Sequence, residues 1–242
     1  MNEPWKVDAI ASRALRVVLP LRCLLCGDHG SDGIDLCAGC TNDFTLNQPC
    51  CSRCALPLKA PAPLCGQCLV RDPVFAAAWA PFLYTHPLDL LEARFKFRRD
   101  LAAGRVLAEL MVMRVRVDGP ALPLLIVPVP LHRLRLRERG YNQALELALP
   151  LARALGIPLR HDALIRTRPT PPQTGLDAKA RRRNLRGAFD VAPTVEWPAH
   201  VVLLDDVMTT GATLREAAKT LHRAGVNRVD VWALARAPTS RA

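Results

Sequence analysis

The chain has 242 residues, of which 50% are hydrophobic and 23% are charged, and it carries a formal net charge of +11. This composition excludes an intrinsically disordered chain, which would be poorer in hydrophobic residues. The 33 basic residues are 28 arginines and five lysines. That excess favours polyanionic partners such as nucleic acid, although a GC-rich genome also writes arginine-rich chains.

Residues 1 to 20 predict an amphipathic helix, because Asp8, Arg13 and Arg16 interrupt its apolar residues. The same charges argue against a signal sequence. The longest apolar stretch, residues 74 to 84, is too short to cross a bilayer about 30 Å thick. We therefore expect a cytoplasmic protein without a membrane span.

Residues 21 to 70 contain all nine cysteines, and eight of them form four Cys-x-x-Cys pairs. Adding 28 to each position in the first half of this pattern gives the second half, so the segment is an internal repeat. Two such pairs supply the four thiolates of a tetrahedral zinc site, whereas a disulfide scaffold would need an oxidising compartment. We interpret the segment as a double zinc ribbon with one or two structural zinc ions. Its ligands are Cys23, Cys26, Cys37, Cys40, Cys51, Cys54, Cys65 and Cys68.

The spacing leaves the pairing of these cysteines open. The simplest arrangement places one zinc site in each half, whereas a cross-braced arrangement joins the first pair to the third. Cys50 is left over next to Cys51 and is expected to be a buried or free thiol. Nothing in the pattern indicates an open catalytic position on the metal.

Beyond residue 70 the pattern changes to alternating strands and helices. Helical spacing of apolar residues is found at 88 to 97, 101 to 113, 141 to 155 and 214 to 224. Short apolar strands are predicted at 124 to 130, 163 to 166, 201 to 205 and 229 to 235, with a long basic loop up to about residue 187. The alternation predicts an α/β fold with a mostly parallel sheet flanked by helices. Ligands of such sheets bind at the carboxyl ends of the strands.

The segment VVLLDDVMTTGATL, residues 201 to 214, places two carboxylates at the end of a predicted strand. A turn containing glycine follows, and the next helix is expected to start at a capping box of Thr213 and Glu216 and to stop at Gly225. The amides and hydroxyls of the turn, with the helix dipole, would bind an anion. Paired carboxylates suit the adjacent hydroxyls of a sugar, directly or through Mg²⁺. The segment therefore predicts a ribose-phosphate site.

Other interpretations of this segment are less complete. The chain has no GxxxxGK[S/T] motif of a P-loop nucleotide site, and no GxGxxG motif follows a strand. The structural alternative is a pair of aspartates that cap the following helix without a ligand. We favour the ligand site.

Several segments of the chain resemble a known family. Residues 201 to 214 are similar to the phosphoribosyl pyrophosphate (PRPP) motif of type I phosphoribosyltransferases. The cysteine-rich start, KF at 96 and 97, VPVPLHRLRLRERGYNQA at 127 to 144 and PQTGLDAKARRRNLRGAF at 172 to 189 resemble one branch, the ComF family of competence-associated proteins. The resemblance implies a type I phosphoribosyltransferase-like domain over residues 71 to 242.

The resemblance also implies roles for individual residues. Asp205 and Asp206 would be the catalytic carboxylates that bind the ribose hydroxyls, and the turn after them would hold the 5-phosphate. The loop after the first core strand would bind pyrophosphate, near Val129 and Arg133. The implied PRPP-binding residues after the acidic pair are Val207, Met208, Thr209, Thr210, Gly211, Ala212 and Thr213.

Residues 168 to 187 correspond to the flexible hood that such enzymes close over pyrophosphate. Lys179, Arg181 and Arg182 would offset the charge of the departing pyrophosphate, and a solvated basic loop is the alternative. The implied reaction displaces pyrophosphate from the ribose anomeric carbon, with Mg²⁺ bound to the diphosphate.

The family context implies a second class of function. It places the protein in natural transformation, where it would handle incoming single-stranded DNA with a partner helicase. The alternative to an enzyme is thus a catalytically inactive factor that binds single-stranded DNA on the same scaffold. Tyr141 is the one aromatic residue beside the basic strip at 132 to 139, so phosphate contacts would dominate. The implied nucleic-acid contacts are Arg133, Arg135, Arg137, Arg139, Arg183 and Arg186.

Two further side chains each have two open interpretations. Lys96 lies between Phe95 and Phe97, and its spacing favours a helix end with the charge in water, whereas the family resemblance favours a ligand-binding lysine. His132 is placed near the implied pyrophosphate loop, although an isolated histidine is more often at the surface.

Overall fold

The computed structural model describes residues 20 to 169, 185 to 193 and 195 to 238. The predicted N-terminal helix lies outside these residues, as do Lys179, Arg181, Arg182 and Arg183 of the predicted hood. Contacts divide the chain into two units, one ending at Phe44 and one beginning at Thr45. This division falls between the two halves of the cysteine repeat. The domain boundary near residue 70 stays a prediction.

The first unit holds the first half of the repeat on short turns. Helix α1 (Ala38–Asn42) follows Cys37, whose Sγ accepts a hydrogen bond from the Cys40 amide at 3.4 Å. The Leu24 amide donates to the Asp35 carbonyl at 2.9 Å, and Leu36 is fully buried. A unit this small buries little apolar surface, which is why a metal is expected to contribute to its folding.

The second unit begins with the second half of the repeat, which contains α2 (Gly66–Val70). Its other described helices are α3 (Leu88–Arg98), α4 (Leu101–Asp118), α5 (Arg133–Arg139), α6 (Gln143–Leu155) and α7 (Ala212–Arg223). Its described strands are β1 (Ala78–Trp79), β2 (Phe82–Leu83), β3 (Leu125–Pro128), β4 (Leu164–Arg166), β5 (Phe189–Val191), β6 (His200–Met208) and β7 (Arg228–Arg236).

A parallel sheet forms the centre of this unit. β6 lies between β3 and β7, and β1 and β2 both pair with the other side of β7. Residues 201 to 204 of β6 are fully buried, and both α6 and α7 contact this strand. The central strands contain long apolar runs because helices cover the sheet. The predicted α/β fold with a parallel sheet flanked by helices is confirmed.

The largest difference from the sequence prediction lies around the helix after β6. The strand continues to Met208 instead of ending at Asp205, and α7 starts at Ala212 after Gly211, whose φ is 68°. The predicted capping box of Thr213 and Glu216 is therefore wrong. The buried Glu216 side chain instead accepts a hydrogen bond from the Gly187 amide at 2.8 Å. A long-range contact thus uses the side chain that the local pattern had assigned to the cap.

The antiparallel partner of β4 and the helical conformation of residues 133 to 139 were not predicted. β4 pairs antiparallel with β5 in a separate two-stranded sheet, so the basic segment between them connects the strands of a hairpin. The strip of arginines at 133 to 139 is a helix, α5, and it ends at Gly140 with a φ of 89°. Within the ranges that the structure describes, every helix is too short or too polar to cross a bilayer.

We predict that Gly104→Ala lowers the free energy of unfolding. A Cβ at Gly104 in α4 would lie 2.4 Å from Cε2 of Phe95, a buried ring of α3. Alanine normally stabilises a helix interior by about 0.5 to 1 kcal/mol relative to glycine, but overpacking a core costs about 1 to 3 kcal/mol. Urea unfolding measures the net effect.

Gly66→Ala is the matched control, because no heavy atom beyond its chain neighbours and its own helix backbone lies within 4 Å of the Cβ it would add. It should leave the free energy of unfolding unchanged or raise it. An equal gain in both variants would contradict the close packing of α3 against α4.

Candidate functional site

The eight paired cysteines form two separate four-sulfur clusters. The first contains Cys23, Cys26, Cys37 and Cys40, and the second contains Cys51, Cys54, Cys65 and Cys68. In each cluster all four sulfur atoms lie within 4.8 Å of one another, and one pair in each cluster is 3.6 Å apart. A tetrahedral zinc site with Zn–S bonds of about 2.3 Å requires sulfurs about 3.8 Å apart. The clusters therefore fit two structural zinc ions, and the cross-braced pairing is wrong.

Cys50 belongs to neither cluster. It is partly buried, and burial, followed by the charge of Cys51, raises the pKa of its thiol. The interpretation of Cys50 as a leftover thiol is confirmed. Its protonated form is unreactive as a nucleophile.

The acidic pair lies at the carboxyl end of β6, next to the start of the loop that follows β3. The register pairs Pro128 with Leu204, and the Val129 amide donates to the Leu204 carbonyl at 2.8 Å. Val129 is therefore a main-chain neighbour of Asp205. The loop after β3 therefore begins beside the acidic pair, because the two strands are parallel and β3 ends four residues earlier in the register than β6.

Lys96 of α3 reaches the acidic pair from the helix layer. Its Nζ donates to Asp206 Oδ2 at 2.9 Å and to Glu92 Oε1 at 2.8 Å. Tyr84 donates to the other oxygen of Glu92 at 3.2 Å. The interpretation of Lys96 as a helix end with its charge in water is therefore wrong. Sequence reasoning missed Glu92, whose signal was a carboxylate four residues before Lys96, and it also missed Tyr84.

The two carboxyl groups of the pair are not equivalent. Burial, followed by the charge of Asp206, raises the pKa of Asp205 to about 8. Burial also acts to raise the pKa of Asp206, but the charge and hydrogen bond of Lys96 outweigh it and lower that pKa, with a smaller contribution from Arg139. At neutral pH the site thus holds a protonated Asp205 beside an ionised Asp206 that is paired with Lys96. Such a pair repels an incoming anion less than two free carboxylates would.

A pocket follows the acidic pair. It is lined by Asp205 and by the run from Val207 to Leu214. Gly211 turns the chain with a positive φ, and a Cβ there would lie 2.7 Å from Cε of Met208. The first-turn amides of α7 have no acceptor within the helix, and the helix dipole places positive charge at this end. The pocket therefore has the donors of an anion site.

The structure brings most of the implied PRPP-binding residues together. Asp205 and residues 207 to 213 line the pocket, whereas the side chain of Asp206 is not part of the lining and pairs with Lys96. Arg133 is the first residue of α5, and Arg186 is exposed at the end of the hood segment. The remaining hood residues lie outside the described ranges.

The basic strip does not present one face. Arg133, Arg135, Arg137 and Arg139 lie on α5, where residues two apart point in different directions. Arg135 pairs with Glu138 at 3.0 Å. His132 caps α5 by accepting a hydrogen bond from the Leu134 amide and is 6% exposed, so its interpretation as a surface histidine is wrong.

Comparisons with known proteins agree with the two cysteine clusters and with the α/β fold. The family models for the double zinc ribbon domain and the phosphoribosyl transferase domain match residues 14 to 69 and 142 to 242. Competence protein F of Haemophilus influenzae is 40% identical over 223 residues, which cover 89% of this chain and 97% of that relative. DNA utilization protein YhgH of Salmonella typhimurium is 38% identical over 205 residues, with 83% and 90% covered. Competence protein ComFC of Streptococcus pneumoniae is 25% identical over 235 residues, with 89% and 100% covered.

We predict that Asp205 makes the fold less stable as the pH rises. In the unfolded chain an aspartate ionises near pH 3.9, whereas in the folded chain the pKa of Asp205 is raised to about 8. Between these values the folded chain holds a proton that the unfolded chain has released. The free energy of unfolding should therefore fall by up to about 1.4 kcal/mol per pH unit and stop falling above the folded pKa.

The measurement is urea unfolding from about pH 5 to about pH 9, across the window set by these two pKa values. Asp205→Asn should remove this part of the slope, whereas Asp190→Asn, which changes an exposed carboxylate of β5, should keep it. Identical slopes for the wild type and Asp205→Asn would show that Asp205 is ionised in the folded chain.

Proposed function

Because the chain belongs to the ComF family, we propose that it is a competence-related protein that binds PRPP or ribose 5-phosphate with Mg²⁺ in the pocket after β6. One observation carries the proposal. Asp205 and the run from Val207 to Leu214 line a single pocket, which joins one carboxyl group of the acidic pair to the first turn of α7. The names of the relatives, which refer to competence and to DNA utilization, support the wider role.

The proposed pose follows from the donors and acceptors on each side of the pocket. The 5-phosphate would accept hydrogen bonds from the amides between Thr209 and Thr213 and from the threonine hydroxyls. The ribose hydroxyls would bind the carboxyl groups of Asp205 and Asp206. Lys96 would keep Asp206 ionised as an acceptor.

The remaining parts of PRPP would lie toward the loop after β3. The backbone at Val129 and the side chain of Arg133 are the proposed pyrophosphate contacts, and Lys179, Arg181 and Arg182 are the proposed hood contacts. Mg²⁺ would bind the diphosphate and neutralise its charge. If transfer to an acceptor occurs, the protein would contribute position and electrostatic stabilisation, as expected for displacement at a charged leaving group.

We predict that the zinc-loaded wild type binds PRPP with Mg²⁺ saturably in a calorimetric titration. Asp206→Asn should weaken binding by about tenfold or more, since a hydrogen bond to a charged group contributes about 1.5 to 3 kcal/mol. Asp190→Asn changes an exposed carboxylate outside the pocket and should bind as the wild type does.

Zinc content and circular dichroism establish that each variant is folded before it is titrated. No heat from a folded, zinc-loaded wild type would contradict the proposal. Unchanged binding in Asp206→Asn would show that the ribose does not bind the Asp206 carboxylate.

A second candidate function, single-stranded DNA binding, is favoured by a surface that joins α3 to α5. Phe97 is 72% exposed near the end of α3 and is followed by Arg98 and Arg99. Arg99 Nη2 donates to the Glu138 carbonyl in α5 at 2.8 Å, so the segment that follows Phe97 contacts the arginine-bearing helix. Exposed aromatic rings stack on bases, and neighbouring arginines contact the phosphates. Tyr141, the aromatic residue expected for this role, instead donates its hydroxyl to the Phe95 carbonyl.

We predict that affinity for a single-stranded oligonucleotide falls steeply with salt, and that Arg135→Ala reduces the salt slope by about one. Phe97→Ala should weaken binding by about tenfold with an unchanged slope, since stacking contributes about 1 to 3 kcal/mol per base. Val117→Ala is the control, because Val117 is equally exposed but lies near the far end of α4. A flat salt response in fluorescence anisotropy would exclude this function.

A further inference from the structure

Arg236 is a buried cation that the proposed ligand pose does not use. It is the last residue of β7 and is 5% exposed. Its guanidinium donates to four backbone carbonyls. Nε donates to Cys54 at 3.3 Å, and Nη1 donates to Met208 and Ala237, each at 2.8 Å, and to Thr209.

These carbonyls belong to two different sites. Cys54 is a ligand residue of the second zinc cluster, whereas Met208 and Thr209 begin the pocket turn, which runs from Met208 to Thr213. The β-ladder holds the backbone in the same place, since Arg236 pairs with Met208 and the Ala237 amide donates to the Met208 carbonyl at 3.0 Å. One side chain therefore spans the distance from a zinc ligand to the pocket turn.

The charges favour this arrangement. A buried guanidinium must be compensated, because removing it from water is costly unless it is paired and hydrogen-bonded. Four thiolates and one Zn²⁺ carry a formal net charge of about −2, which lies beside Arg236 when the second cluster is loaded. Loss of the metal, with protonation of the four thiolates, would remove that charge and free the turn that contains Cys54.

The second ribbon is also built into the unit that carries the pocket. All four of its cysteines are buried in the same core as Met208, Ala212 and Leu214. The Ala78 amide of β1 donates to the Ser52 carbonyl at 3.4 Å, and Arg53 donates to the Ala76 carbonyl at 3.0 Å. The first cluster belongs to the unit that ends at Phe44.

We propose that Arg236 is a positioning residue that couples the second zinc ribbon to the pocket, so that metal in the cluster of Cys51, Cys54, Cys65 and Cys68 orders the turn from Met208 to Thr213. The first ribbon does not share this coupling, although its cysteine pattern is the same. The use of ribose 5-phosphate as the probe rests on the proposed function. The coupling itself is a property of the protein without ligand.

The first test uses the wild type and measures the release of its two zinc ions to a coloured chelator, with and without saturating ribose 5-phosphate and Mg²⁺. Because coupling between sites is reciprocal, the ligand should slow one release phase on the order of tenfold and leave the other unchanged. In Cys40→Ser, whose only intact cluster is the second, the remaining zinc should still be protected. In Cys68→Ser, the equivalent change 28 residues later, the intact cluster is the first, and its zinc should not be protected by the ligand.

Arg236→Met should abolish the slowing of zinc release by ribose 5-phosphate. Arg236→Lys should keep part of it, because a lysine ammonium keeps the charge but cannot donate to both sites as the guanidinium does. Arg228→Met is the control on the same strand, since Arg228 lies at the other end of β7 and pairs with Asp230. Protection of both zinc ions, or of neither in a wild type that binds the ligand, would overturn the coupling.

A second measurement needs no ligand. Hydrogen exchange of the amides from Met208 to Leu214 should become on the order of tenfold faster in Cys68→Ser or Arg236→Met than in Cys40→Ser or Arg228→Met. If the wild type fails to bind ribose 5-phosphate, the proposed function fails, and this exchange difference still decides the coupling. Equal exchange in the two cysteine variants would overturn it.

Discussion

The ion pair between Lys96 and Asp206 is the interaction on which the candidate site depends. Two adjacent carboxylates at the buried end of a strand repel each other, and burial disfavours the charge of both. Lys96 makes the two carboxyl groups different, because it lowers the pKa of Asp206 and keeps that group ionised, whereas the pKa of Asp205 is raised. The packing of α3 therefore sets the electrostatics of a site on β6.

The position of Lys96 depends in turn on its neighbours in α3. Phe95 packs its ring where Gly104 of α4 leaves space, and its carbonyl accepts the hydroxyl of Tyr141. Glu92 holds the other side of the Lys96 ammonium. These contacts connect the helix layer to the segment after α5. A change in the packing of α3 against α4 should therefore alter the charge of the acidic pair without touching either aspartate.

Much of the fold was predictable from local sequence. The cysteine repeat predicted the eight zinc ligands, since each Cys-x-x-Cys pair converges on one point regardless of what surrounds it, whereas the structure decided which pairs share an ion. The apolar runs that became β3, β6 and β7 were recognised because buried parallel strands are nearly continuous apolar runs. The pocket was recognised because its residues, from Asp205 to Thr213, are contiguous in the chain.

The parts that could not be predicted depend on contacts between distant residues. Lys96 and Asp206 are 110 positions apart, and spacing alone indicated a solvated lysine. Glu216 has the spacing of a capping residue, yet its side chain binds the Gly187 amide. Arg236 is an ordinary strand residue in the sequence, and only the assembled sheet places it between a zinc ligand and the pocket turn.

The central claim is that the turn after β6 binds phosphate and the acidic pair binds the ribose. A crystal structure of the zinc-loaded protein soaked with ribose 5-phosphate and Mg²⁺ tests it most directly. The account predicts phosphate density within hydrogen-bond distance of the amides from Thr209 to Thr213 and ribose hydroxyls on Asp205 and Asp206. Phosphate bound at another surface, with the pocket filled only by water at saturating ligand, would contradict it.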